Sequence, residues 1–279
     1  MTHNFETLAG SLPVIGSQIT HLNVTTSTMD IAWQQTNDGA PDGTVVIADH
    51  QSAGRGRYDR SWYSKEGEDI LCSVILRPRV ALAGELLMLA ALAVTDLTDS
   101  LGIVSGIKWP NDVQVQGKKL AGVIAESKTG PEADVDGSSN VPHSAASSSD
   151  RVIAVIGIGL NVNFDPSTRS AQDATPEATS LSTQLDREQN RFDVFKMLMR
   201  SLDTRYSSIT AGGSVVPDWR QRLTTLGREV TVAGGKPGDS SELTGIAHDV
   251  DSIGRLIVRD EDGRDWPVSA GEVTVRGIK

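Results

Sequence analysis

The sequence predicts an α+β fold, with a main domain of strands and two long helices over residues 1–225 followed by a small β-barrel over residues 226–279. Three observations carry that expectation. Short, β-branched apolar runs recur between Gly/Asp-rich connections through most of the chain. Two longer segments have the spacing or all-round apolarity of packed helices. From Leu226 onward, strand-like runs follow one another at intervals of roughly ten residues, the rhythm of a small all-β unit.

In chain order, residues 44–48 (TVVIA) and 69–76 are short and apolar, which predicts strands with a long Gly/Arg loop between them. Residues 84–101 are apolar on most faces, as in a helix buried in a core or laid across a sheet. Residues 107–116 and 120–127 predict two strands joined by a turn at Gly117 and Lys118, and residues 151–164 predict another strand whose end is punctuated by glycines. Between these last strands, residues 128–150 form a Ser/Gly/Pro/Asp tract with almost nothing to bury, expected to be a disordered insertion. Phe192, Phe195, Leu198, Met199, Leu202 and Tyr206 make one apolar stripe, so a helix over residues 192–209 closes the main domain. REVTVAG, ELTGIAHDV, GRLIVRD and DWPVSAGEVTVR then supply the four or five strands of the barrel.

Composition bounds the function. With 38% hydrophobic, 22% charged and only 4% aromatic residues, the 279-residue chain reads as globular with an aliphatic core. A net charge of -10 argues against general nucleic-acid binding, which requires a basic face. The single Cys72 excludes an internal disulfide and, within DILCSVIL, reads as a small buried hydrophobe suited to a reducing cytoplasm. The first residues lack a signal peptide's basic and apolar regions, and the longest apolar window, residues 86–94, is far shorter than the ~20 residues a bilayer requires, so a soluble cytoplasmic protein is expected.

Against that acidity, HQSAGRGRYDRSW (residues 50–62) sets Arg55, Arg57 and Arg60 around Gly54 and Gly56. Taken alone, the glycines could simply turn the chain and the arginines be solvated. They also suit a loop that grips an anion, since glycine admits close backbone approach and guanidinium binds phosphate or carboxylate through paired hydrogen bonds. KWPNDV (residues 108–113) and GKKLAGVIAE (residues 117–126) could likewise be a turn, a packed tryptophan and a charged hairpin tip. GIGLNVN (residues 157–163) has no third glycine and no following helix, so no dinucleotide-binding fold is supported; a GxxxxGK[ST] loop is absent, and the five histidines are scattered without metal-ligand spacing.

The combination is more specific than its parts. TTSTM, HQSAGRGRYDRSW, KWPNDV, KKLAGVIAE, GIGLNVN and VSAGEVTVR, in this order, resemble the biotin protein ligases from about Thr25 to the C-terminus. The resemblance implies a mixed-sheet catalytic domain of the biotin/lipoate ligase type, class II synthetase-like, with an SH3-like C-terminal barrel. It implies that ATP activates biotin to biotinyl-5'-AMP, with Mg²⁺ entering with ATP and no dedicated metal site, and that biotin passes to a lysine of a biotin carboxyl carrier domain.

By motif position, Lys119 matches the lysine lying against the biotin carboxylate and the reacting phosphate, the principal catalytic cation. Arg55 and Arg57 match loop arginines that fold over biotin and the nucleotide, Arg55 counting with Lys119 and Asp112 among the catalytic residues, with Gly54 and Gly56 giving the loop mobility; Arg60 contacts nucleotide phosphates or is peripheral. Ser27, Thr28 and Gln51 match groups that bond the ureido ring, and Gly122 allows close packing beside it. Met29 departs from the asparagine usual in the family. Asn161, Asn111 and Lys108 fall on the ATP side, and Trp62 and Trp109 either wall the site or merely pack. Asp112 is placed to orient or deprotonate the acceptor amine, with holding Mg²⁺ or water as the alternative. Only about 25 residues precede the first motif, which leaves no room for the DNA-binding module of some family members. The expectation is a monomer or weak homodimer that binds neither DNA nor membrane. A lipoate or octanoate ligase or transferase is the nearest rival, and a non-catalytic anion- or RNA-binding module is a rival of another class.

Overall fold

The computed structural model describes residues 4–58, 60–129, 150–166, 178–233, 242–269 and 272–275, so the expected insertion lies almost wholly outside the described residues. Seven strands, β1 (Ile19–Thr25), β2 (Val45–Gln51), β3 (Ile70–Leu76), β4 (Gly106–Lys108), β5 (Asp112–Val115), β6 (Lys118–Thr129) and β7 (Val152–Leu160), form a mixed sheet in the order β1-β2-β3-β7-β6-β5-β4. β1 and β2 run parallel, joined through α1 (Thr28–Asn37); every other neighbouring pair is antiparallel.

Alternation along the central strands divides their side chains between two cores. Val45, Ile47, Cys72, Val74, Ala154 and Ile156 join the larger core, which includes residues of α2 (Leu86–Ser100) and α4 (Arg191–Thr210). Val46, Ile75 and Val155 pack with Met29 and Ala32 of α1 in the smaller one. Because both faces are covered, β3 is buried at every residue, which accounts for its unbroken apolar run. The helical stretch Val80–Ser100, of mean hydropathy 1.9, is long and apolar enough by length and composition to cross a membrane, and exceeds the apolar window visible in the sequence. Here it is a core element: Leu86, Leu89, Leu92 and Val94 are buried in the larger core, and Arg205 of α4 grips Asp96 through two bonds of 2.6 and 2.7 Å.

Several expectations need correction. Residues 107–116 are two strands, because the Trp109-Pro110 peptide is cis and residues 109–111 turn the chain into a β4–β5 hairpin. The next turn falls at Gln116 and Gly117, whose φ values of 52° and 78° suit a two-residue hairpin of the right twist, so Lys118 already belongs to β6. β7 stops at Leu160, and residues 161–164 leave the sheet. β1 and α1, together with the short helices α3 (Leu181–Leu185) and α5 (Val216–Arg222), were not anticipated.

The C-terminal strands β8 (Glu229–Ala233), β9 (Leu243–Val250), β10 (Leu256–Arg259), β11 (Asp265–Val268) and β12 (Glu272–Val275) form an antiparallel sheet in the order β11-β10-β9-β8-β12. Among the described residues the ladder of this expected small all-β unit is open, with β11 and β12 at opposite edges. Pro267 fits an edge position in β11, since it cannot donate to a further strand. The β9–β10 turn rests on the main domain, where Gly254 accepts the Trp109 indole N–H at 3.0 Å.

Candidate active site

A cavity of about 440 Å³ opens over the C-terminal end of β7 and the start of β6. Its floor depends on missing side chains. A Cβ on Gly159 would strike the Trp62 ring, one on Gly122 would lie 2.9 Å from Trp62 Cζ3, and one on Gly157 would lie 2.9 Å from Met29 Sδ. Glycine inside a strand commonly marks such close approach. Trp62 and Met29 therefore lie directly against the strand backbone, and the sulfur of Met29 supplies an apolar corner.

The arginine loop forms the opposite wall. It doubles back on itself, with Gly56 N–H donating to Arg60 O at 2.7 Å and Trp62 N–H to Gly54 O at 2.8 Å. Gly54 is glycine for a steric reason, since a Cβ there would lie 2.5 Å from the Trp62 carbonyl oxygen. This steric need stands beside the mobility expected of it, and Gly54 is the one expected site residue that does not itself line the cavity.

At one end of the cavity, the start of α1 presents Ser27, Thr28 and Met29. Ser27 caps the helix by accepting the Met29 N–H at 3.3 Å. Gln51 Oε1 accepts from Thr28 N–H at 2.7 Å and from its hydroxyl at 3.1 Å, and that hydroxyl shares a hydrogen bond of 2.8 Å with Ser73. These bonds fix Thr28, Gln51 and Ser73 on one another before any ligand arrives.

At the other end, Lys119 Nζ meets Asp112 Oδ1 at 2.7 Å and lies 5.4 Å from the Trp62 ring centre. Arg57 donates from Nη1 to Asn111 Oδ1 at 3.1 Å and from Nη2 to the Tyr58 hydroxyl at 2.9 Å, while Asn111 Nδ2 donates to the Val123 carbonyl at 2.6 Å. Asn161 is buried, with its Nδ2 on the Thr179 carbonyl at 2.9 Å. Lys108 and Arg60 also line the cavity, whereas the Arg55 guanidinium turns to the rim, where Asp30 lies 2.8 Å away.

Among the described residues the lining holds five cations, Arg55, Arg57, Arg60, Lys108 and Lys119, against one carboxylate, Asp112. A chain of net charge -10 thus concentrates positive charge around one concave, glycine-floored surface, an arrangement suited to an anionic ligand with flat or ring-shaped parts. The Trp62 indole N–H is buried without a hydrogen-bond partner among the described residues, a donor held at the wall. Cys72 also reaches the cavity, but burial pushes its thiol up to about 12, which removes it as a nucleophile near neutral pH.

Sequence reasoning missed three parts of this site. The alternate glycines Gly157 and Gly159 were visible as a Gly-x-Gly, yet their role as floor was not. Val273 of β12 also lines the cavity, so the C-terminal sheet contributes directly. Asp30 and Glu126 at the rim carried no local signal.

Comparison with known proteins is consistent with this geometry. Residues 21–137 match the Biotin/lipoate A/B protein ligase family and residues 225–276 match the Biotin protein ligase C terminal domain. The chain is 35% identical over 240 residues to the biotin--[acetyl-CoA-carboxylase] ligase of Mycobacterium tuberculosis, covering 83% of this chain and 79% of that protein. It is also 35% identical over 204 residues to the bifunctional ligase/repressor BirA of Bacillus subtilis, covering 72% of this chain but only 57% of that longer relative. The biotin protein ligase of Aquifex aeolicus, solved in complex with biotin and ATP, shares the fold with a TM-score of 0.70 at 23% identity, over 92% of this chain and 98% of that one.

Proposed function

The chain belongs to the biotin protein ligase family, and on that premise we propose that it joins biotin to ATP as biotinyl-5'-AMP, releasing pyrophosphate, and then passes the biotinyl group to a lysine of a biotin carboxyl carrier domain. The observation that carries this reading is the gathering of Lys119, Arg57, Arg60 and Lys108 around one lining carboxylate, Asp112, over a glycine floor.

The first half-reaction brings a carboxylate to a phosphate. Two unit charges 4 Å apart repel by about 4 kcal/mol at an effective dielectric of 20. Fixed cations must offset this as the attacking oxygen nears phosphorus. Lys119 supplies the central charge, held by Asp112 at 2.7 Å so that it need not reorganise during the step. Arg57 adds a second, and Arg60 and Lys108 face the outgoing phosphates. Ser27, Thr28 and Gln51 receive the polar ureido ring, Gly122 lets the bicycle lie against β6, and Asn161 and Asn111 bound the adenosine side.

In the second half-reaction the acceptor lysine, whose ordinary pKa is about 10.4, must lose a proton to attack the mixed anhydride. Asp112 is the one carboxylate in the described lining and orients that amine, drawing its proton away as the new C–N bond forms and AMP leaves. The donor set also fits Mg²⁺ carried in mainly by phosphate oxygens and water, which when bound neutralises part of the triphosphate charge.

A monomer or weak homodimer is the proposed assembly. Dependence on ATP fits the cytoplasm, and a net charge of -10 fits action without DNA binding. The catalytic and C-terminal units divide near residue 225.

Incubating the protein with ATP, Mg²⁺ and either biotin or lipoate, with mass spectrometry of the acyl-adenylate, tests the reading. Biotinyl-adenylate is expected, and Lys119→Ala should slow its formation by about a hundred- to a thousandfold. Adenylation of lipoate alone, or an unaffected Lys119→Ala, overturns it.

A further inference from the structure

The arginines of the loop do different things. Arg57 reaches inward to Asn111, whereas Arg55 is spread between two carboxylates on the rim. Its Nη2 lies 2.8 Å from Asp30 Oδ1, in the first turn of α1, and its Nη1 lies 3.7 Å from Glu126 Oε1 on β6. Glu126 is itself aimed, because its other oxygen accepts the Trp33 indole N–H at 2.6 Å, and the Lys128 ammonium lies 4.2 Å over the Trp33 ring. Loop, helix and strand are pinned at one corner.

We infer that Arg55 is a positioning residue: through Asp30 and Glu126 it fastens the loop to the rim and so holds Arg57 and Trp62 over the cavity. Two carboxylates would compete with an anionic ligand for the same guanidinium, a poor arrangement for gripping substrate and a sound one for a fastening. The strength is also apt. The paired side chains are 41–49% exposed, where single ion pairs are weak and screened by salt. A loop that admits one ligand and releases another needs a hold of that order.

The ligand-free chain provides the test. Tyr58, 53% exposed at the loop tip, is a chymotrypsin site that arginine substitutions leave intact. Arg55→Gln and the double variant Asp30→Asn/Glu126→Gln should each speed cleavage after Tyr58 by about three- to tenfold, with melting temperature unchanged. The triple variant should go no further than Arg55→Gln alone, and about 0.5 M KCl should carry the wild type most of the way. In the adenylation assay, which rests on the function proposed above, these variants should share a raised KM for biotin, and the Asp30/Glu126 double variant should keep kcat within about twofold. Wild-type cleavage rates in the double variant, additive effects in the triple, or a loss of kcat peculiar to Arg55→Gln would each overturn the inference. Were the wild type to make no biotinyl-adenylate, the proposed function would fail and the cleavage rates alone would decide the role of Arg55.

Discussion

Trp62 carries two separable properties, a ring that lies on the glycine floor and a buried indole N–H without a partner among the described residues. An unmade buried hydrogen bond costs about 1–3 kcal/mol, so the donor weakens the ligand-free protein, and a small shift of the loop on binding would bring it to an acceptor on the ligand. Trp62→Phe keeps an aromatic ring, smaller than the indole, and deletes the donor. The variant should melt within a few degrees of the wild type, because deleting the unpaired donor offsets part of the lost ring contact, while its affinity for biotinyl-adenylate falls at least about fivefold, the worth of one net hydrogen bond. Thermal denaturation and titration calorimetry measure the two. A variant that loses stability while binding as before would make Trp62 a packing residue only. At this scale the identities of the site residues were legible, because motifs preserve residue type and spacing. Their partners were not: the Lys119–Asp112 pair and the bond from Arg57 to Asn111 join side chains that only the folded sheet brings together. The same is true of Arg55, whose sequence neighbours gave no hint that Asp30 and Glu126 would claim it.

β6 and β7 act as a platform whose flatness comes from Gly122, Gly157 and Gly159. A methyl at Gly159 strains no backbone angle but meets the Trp62 ring, which is carried on a loop and can move away. Gly159→Ala should therefore lower the melting temperature by no more than about 3 °C, yet raise the KM for biotin at least tenfold, the range in which one misplaced methyl disturbs a pocket (about 10–200-fold). Steady-state adenylation across biotin concentrations checks it, and an unchanged KM would remove β7 from the floor. Elements of this kind were readable where apolar pattern was strong. β3, β7, α2 and α4 are buried along a face or throughout, and their sequences say so. β1 is an edge strand with most residues partly exposed, and the sequence of α1 mixes polar with apolar positions, so neither stood out. The β4–β5 hairpin was hidden because Trp109, Pro110 and Asn111 interrupt a run that otherwise alternates like one strand. The C-terminal strands were counted correctly, while their open pairing order is a tertiary property that turn spacing does not encode.

The whole molecule accepts instability where the site requires order, and Asp69 shows it most directly. Its side chain is fully buried at the entry to β3, and Oδ1 accepts the Val162 N–H at 2.8 Å, one residue beyond Asn161. Its own carbonyl takes Arg191 Nε at 2.9 Å, so one residue ties the exit of β7 to the start of α4. Burial pushes the carboxyl up from 3.8 to about 6, against the opposing pull of the Val162 N–H, Ser64, the Phe164 backbone and Arg191. The folded state therefore holds this proton more tightly than the unfolded chain. Its contribution to stability is fully present below about pH 4 and is lost as pH rises through about 6, a difference of up to about 3 kcal/mol. Asp69→Asn retains an oxygen for Val162 and cannot ionise. Urea unfolding at about pH 4.5, 6 and 7.5 should show the wild type losing stability relative to Asp69→Asn across that interval, with the gap closed at low pH. Parallel curves for the two proteins would place the titration on another group. The expected divergence would mean that the carboxylate is kept at a cost to stability, at the point where the chain leaves the sheet beside Asn161.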